Sequence, residues 1–132
     1  MDPRYVVSMQ APAHFPGRPP IDAYGNGGFR FADMSHKGNL LFVPQGVFGS
    51  TATDADALAR GALAYLVIAP ELQTVLLVGT GRRQIFAMPE LRRVFSDAGI
   101  GLEMMDTGAA CRTYNVLLAE KRAVAAALIA VD

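Results

Sequence analysis

Two short apolar runs limit this chain more than any other feature. Leu40–Val43 reads LLFV and lies between Gly38 and Pro44, and Val75–Val78 reads VLLV and runs into the glycines of GTG at Gly79–Gly81. Each is too short for a helix and is closed by a turn-forming residue, so each predicts a core strand, and the second suits a strand covered on both faces. Between and after them lie segments of helical period. Asp54 to Ala69 places Leu58, Ala62, Tyr65, Leu66 and Ala69 on one face, with Thr53 as the expected cap, Asp54 and Asp56 in the first turn, and Gly61 as a point where the helix can split. Pro89 is suited to the first turn of a second helix running to about Ala98, which buries Leu91, Val94 and Phe95 and turns Arg92 and Arg93 outward. Strands interleaved with helices predict a compact three-layer α/β single domain, a mixed β-sheet covered by helices, with the two apolar runs side by side.

The remaining segments fit around that frame. Residues 1–20 hold five of the eight prolines and predict an extended N-terminal arm, leaving 21–132 as the α/β domain. The glycines of YGNGG at Tyr24–Gly28 predict a tight turn feeding a half-buried strand, with Phe29 and Phe31 on one face and Arg30 on the other. DMSHKGN predicts a turn, and Arg83 to Ala87 a short strand. Gly99 stops the second helix before a strand over IGLEMMD, with Leu102 and Met104 on one face and Glu103 and Met105 on the other. From Thr107 the chain is rich in helix formers to its end, predicting one long helix or two that abut near Glu120.

Composition narrows the function classes. A chain of 132 residues suits one domain, and 52% apolar content supports a soluble globular core. Twelve basic residues balance twelve acidic ones, so strong steering toward nucleic acid is not expected. No window predicts a membrane span, and the start lacks a secretory apolar core. Cys111 stands alone, which excludes an intrachain disulfide and a cysteine zinc site and fits a reducing, cytoplasmic setting. Near-neutral charge with high apolar content also makes homo-oligomers or docking on another protein physically easy.

The candidate chemistry is sparse. Gly79, Thr80 and Gly81 follow a strand, and with Arg82 and Arg83 they form a candidate ligand or phosphate site. A dinucleotide fingerprint would need glycine where Gln84 stands, and no Walker sequence is present, so no cofactor is expected. Asp33, Ser35 and His36 are close in sequence, but a turn offers no rigid orientation for a triad. His14 and His36 alone are too few for a metal site. Cys111, in the first turns of a helix beginning near Thr107 and beside Arg112, can be read as an activated thiolate or as a small buried hydrophobe. Tyr24 and Asn26, with Tyr114 and Asn115, are either core and cap residues or one docking patch.

Three motifs in fixed order carry a family resemblance: IDAYGNGGFRF with SHKGNLLFVP, then LLVGTG, then MDTGAACRTYNVLLAEKRAVAAAL. They resemble a widespread family of small bacterial and archaeal proteins of unknown function, similar to the mitochondrial assembly factor 3 of respiratory complex I, from about Ile21 to Ala130. The resemblance implies a compact three-layer α/β domain without established catalytic residues or cofactor. In the mitochondrial relative it implies a part in assembling NADH:ubiquinone oxidoreductase beside a partner assembly protein. The pattern positions are Tyr24, Gly25, Gly28, Phe29, Gly79, Gly81, Thr107, Gly108, Arg112, Asn115 and Glu120. The chain departs from the pattern at Phe48, Gly49 and Ser50, where such proteins often carry a tryptophan.

Two functions from different classes follow. The first is a non-enzymatic interaction or assembly domain, using Tyr24, Gly28, Arg112 and Asn115 to hold a protein partner such as a respiratory-complex subunit or assembly protein. The second is a small-ligand or phosphate-binding protein, an enzyme in its strongest form, using Gly79 to Arg83.

Overall fold

The computed structural model describes residues 13–69 and 74–132. Five strands make the central sheet: β4 (Asn39–Val43), β5 (Gly46–Ser50), β6 (Val75–Gly79), β7 (Gly101–Met105) and β8 (Val124–Leu128), in the order β5-β4-β8-β6-β7. β6 runs parallel to both β7 and β8, while β4 is antiparallel to β5 and β8, so the sheet is mixed. A second, antiparallel sheet joins β1 (Ala23–Gly25), β2 (Gly28–Phe31) and β3 (Met34–Lys37). Three helices complete the described residues: α1 (Ala55–Leu66), α2 (Pro89–Asp97) and α3 (Thr107–Ala119).

Strand alternation divides the core between two faces. Leu41, Val43, Leu76, Val78, Ala125 and Ala127 pack with Leu58, Ala62 and Leu66 of α1 and with Leu91 and Phe95 of α2. Leu40, Phe42, Leu77, Ala126 and Leu128 pack with Ala110, Cys111 and Tyr114 of α3 and with Phe29 and Phe31 of β2. The result is the expected three-layer α/β domain: α1 and α2, the five-stranded sheet, then α3 with the small sheet. Phe42 sits at the heart of the second face, edge-on to Phe31 at 5.5 Å and tilted against Tyr114 at 5.2 Å.

The largest departure from expectation lies at the C-terminus. Instead of continuing as helix, the chain leaves α3 at Glu120, turns through Lys121 at φ 60°, and returns as β8, whose five residues are all fully buried. The two apolar runs are therefore not side by side. β8 separates them, with Ala126 opposite Phe42 on one edge and Leu77 on the other. Alanine favours helices, but burial between layers overrides that preference, and its small side chains let helices close on both faces.

Smaller corrections have local causes. Asp54 rather than Thr53 caps α1, accepting the Ala57 N–H at 2.8 Å, and Asp106 caps α3, which begins at Thr107, accepting the Ala109 N–H at 2.9 Å. Gly61 does not split α1. The segment expected as a turn contains β3, because Ala32 and Asp33, at φ 47° and 62°, reverse the chain in two residues and leave Met34–Lys37 to pair with β2. Residues 83–87 form no strand, and β5 was not anticipated. Of the expected arm, residues 1–12 lie outside the described residues. Its remainder meets the domain through a bridge between Phe15 and Val47 and through the Tyr114 hydroxyl, which donates to the Pro19 carbonyl at 3.0 Å.

Candidate functional site

A shallow cleft of about 300 Å³ opens where the chain enters β1 and crosses α3, lined by Ile21, Asp22, Ala23, Tyr24, Cys111, Arg112 and Asn115. Asn115 sets its geometry. Its Oδ1 accepts the Ile21 N–H at 2.8 Å, and its Nδ2 donates to the Ile21 carbonyl at 2.8 Å. This paired amide contact stands in for a strand neighbour and holds the approach to β1 against the helix. Two turns earlier on α3, Gly108 leaves room for Tyr24: a β-carbon there would lie 2.5 Å from the Tyr24 hydroxyl. Tyr24 remains 42% exposed, and the Arg112 Nη1 reaches to 3.5 Å from its oxygen. No carboxylate among the described residues pairs with Arg112.

The four residues expected to form an interaction surface thus divide. Tyr24 and Arg112 stand at the cleft, while Asn115 forms its frame. Gly28 is elsewhere and structural, since a β-carbon there would collide with the His36 carbonyl of the paired strand. Tyr114 belongs to the core, and Asn26, at φ 52°, makes the hairpin turn between β1 and β2.

Cys111 faces inward. Burial pushes its thiol up to about 12, outweighing the opposing pull of Arg112, and Asp106 acts in the same direction as burial. At neutral pH it is a protonated hydrophobe rather than an activated thiolate.

The Gly79–Arg83 loop is built from its donors inward. The Thr80 N–H donates to the Met105 carbonyl at 2.8 Å, and the Gly81 N–H donates to the Thr107 hydroxyl at 2.9 Å. Thr107, fully buried, then donates from Oγ1 to the Ile129 carbonyl at 2.8 Å, and its own N–H donates to Gly81 at 2.8 Å. Gly79 permits this closeness, because a β-carbon would stand 3.0 Å from both the Cα and the hydroxyl of Thr107. The Thr80 hydroxyl donates to the Arg83 carbonyl and accepts the Ile85 N–H. Only the side chains of Arg82 and Arg83 turn outward, and no residue of this loop lines the cleft. Motif spacing alone did not reveal Thr107 as the organising hydroxyl, although Thr one residue after a capping Asp, facing a Gly-Thr-Gly turn, was the available signal.

Asp33, Ser35 and His36 form no triad: Asp33 lies in the turn, and Ser35 and His36 alternate along β3. His36 instead meets His14, ring centroids 5.0 Å apart, over Gly49. Burial, then the neighbouring His14, lower its pKa, against a smaller opposing effect from its hydrogen bond with the Asn39 backbone. Among the described residues no three His, Cys, Asp or Glu side chains gather to hold a metal ion, and no helix is long and apolar enough to cross a membrane.

Comparison with known proteins places this chain in a family. An uncharacterised protein of Rhodobacter capsulatus is 41% identical over 116 residues, 87% of each chain. The mouse NADH dehydrogenase [ubiquinone] 1 alpha subcomplex assembly factor 3 is 29% identical over 118 residues, and the match covers 89% of this chain but 63% of the mouse protein. Among solved structures, an outer membrane protein from Bartonella henselae matches with a TM-score of 0.80 at 48% identity, covering 90% of this chain and 100% of that one. A Bordetella pertussis protein called an Mth938-like domain matches with a TM-score of 0.70 at 34% identity, covering 85% of each. The family model for the protein of unknown function DUF498/DUF598 matches residues 21–129, and this chain belongs to that family.

Proposed function

We propose that this chain is a non-enzymatic interaction domain that assists assembly of a respiratory NADH:ubiquinone oxidoreductase, docking a protein partner at the Tyr24–Arg112 cleft. The observation that carries the reading is the pairing of a half-exposed tyrosine with a guanidinium that has no carboxylate partner among the described residues. Tyrosine and arginine over an apolar floor are the side chains that most often concentrate binding energy at protein interfaces. An acidic side chain or chain terminus on the partner would complete Arg112. Relatives named as assembly factors of NADH dehydrogenase support a partner of that class. The lone buried thiol suits a reducing compartment such as the cytoplasm.

Phosphate binding at Gly79–Arg83 has less support, because the Thr80 and Gly81 N–H groups that would cradle an anion are already bonded within the fold. Co-purification of complex I assembly intermediates with wild-type chain and with Arg112→Ala, at matched thermal stability, tests the proposal. Loss of recovery by about tenfold or more in the variant supports it. Equal recovery of intermediates by both, or none by either, contradicts it.

A further inference from the structure

We propose that the segment 81–93 is an interfacial anchor that docks this domain on an anionic lipid surface, with Ile85, Phe86 and Met88 entering the headgroup region. These side chains are 55%, 73% and 68% exposed and lie within four residues of one another beyond the end of β6. Single exposed apolar residues are ordinary, but a contiguous group marks an interaction surface.

The backbone beneath them is fixed. The Ile85 N–H donates to the Thr80 hydroxyl at 3.2 Å, Gln84 Nε2 donates to the Met104 carbonyl at 3.0 Å, and Ala87 packs inward against the core. The three side chains therefore project from a braced loop while the residue between Phe86 and Met88 holds it down.

Charge selects the occupant. This segment carries Arg82, Arg83, Arg92 and Arg93 against Glu90 alone, four of the chain's twelve basic residues and one of its twelve acidic ones, in a chain whose net charge is zero. All four arginines are exposed. Arg82 stands 3.9 Å from the Asp132 carboxylate, with both side chains largely in solvent, and the other three have no carboxylate partner among the described residues. Guanidinium groups flanking an apolar tip match the phosphate plane and acyl boundary of an anionic bilayer. A second copy would bring like charges together, and a protein partner would need a groove shaped to this loop, whereas a bilayer needs no such shape. None of these residues lines the Tyr24–Arg112 cleft, so the anchor does not depend on the docking role proposed for it.

The test uses the full chain with vesicles of phosphatidylcholine alone and of phosphatidylcholine with phosphatidylglycerol, read by co-flotation, with sedimentation velocity for oligomeric state. Partition onto the anionic vesicles should exceed that onto neutral ones by about tenfold or more and fall with added salt. Phe86→Ser, and Arg82→Gln with Arg83→Gln, should each weaken it by about tenfold with circular dichroism unchanged, while Val67→Ser, at the exposed residue that follows α1, leaves it intact. Equal partition onto both vesicle types, or anionic binding that the segment's variants do not reduce, overturns the proposal. Equal weakening by Val67→Ser also overturns it, as does a dimer that Phe86→Ser dissolves, which would assign the patch to a second copy. Binding of a protein at this loop without any lipid partition overturns it in favour of a protein partner.

Discussion

The hydroxyl of Tyr24 occupies the space that a β-carbon on residue 108 would need, 2.5 Å from it, so the absence of a side chain at Gly108 places the ring on α3. Gly108→Ala should raise helix propensity by up to about 1 kcal/mol while forcing the flexible end of Tyr24 outward. The expected outcome is an undiminished melting temperature together with partner binding reduced as far as in Tyr24→Ala. Calorimetry and a binding titration on the same samples check the two halves.

Thr107 joins two turns through one hydroxyl, accepting from the Gly81 N–H and donating to the Ile129 carbonyl, in a fully buried position. Thr107→Val keeps the shape but leaves both groups unsatisfied, and should cost about 2–4 kcal/mol in urea unfolding. Thr107→Ser, which retains the hydroxyl, should cost about 1 kcal/mol.

Ala126 is held between Phe42 and Leu77 at the centre of the sheet. Added methyl groups have nowhere to go there, so Ala126→Val should destabilise by about 1–3 kcal/mol despite its better strand propensity. A gain in stability, measured by urea denaturation, would contradict the central placement of β8.

Half-buried His36 and buried Cys111 act at opposite ends of the pH scale. The folded state lowers the His36 pKa below the ordinary 6.5, so the unfolded chain binds the proton more readily and stability declines as pH falls through and below that value. Cys111 is raised from 9.0 to about 12, so the unfolded chain loses its proton first and stability declines as pH rises from about 9 toward 12. His36→Gln should flatten the acidic limb of a stability profile. Alkylation of Cys111 at neutral pH should be slow in the native protein and rapid after unfolding.

Much of this architecture was legible in local pattern. Phe29, Arg30 and Phe31 alternate because one face of β2 is buried, and Leu91 and Phe95 recur at helical spacing because α2 lies on the sheet. Val124–Leu128 was not legible, since a run of alanines looks helical until the strands on either side of it are known, and that pairing is made by residues about fifty and eighty positions away. The cleft was half legible. Tyr24, Arg112 and Asn115 stood out as residues, but their meeting depends on Gly108 and on the hold of Asn115 upon Ile21. Nothing local announces the contact between His14 and His36, which joins the N-terminal segment to β3 across β5.

A photo-crosslinking residue placed at position 23, an exposed cleft position that leaves Tyr24 in place, in the native host, followed by mass spectrometry of the adducts, addresses the docking role most directly. The account predicts adducts to subunits or assembly proteins of the respiratory NADH dehydrogenase, abolished by Arg112→Ala. Adducts confined to unrelated proteins, or unchanged by that substitution, would contradict it.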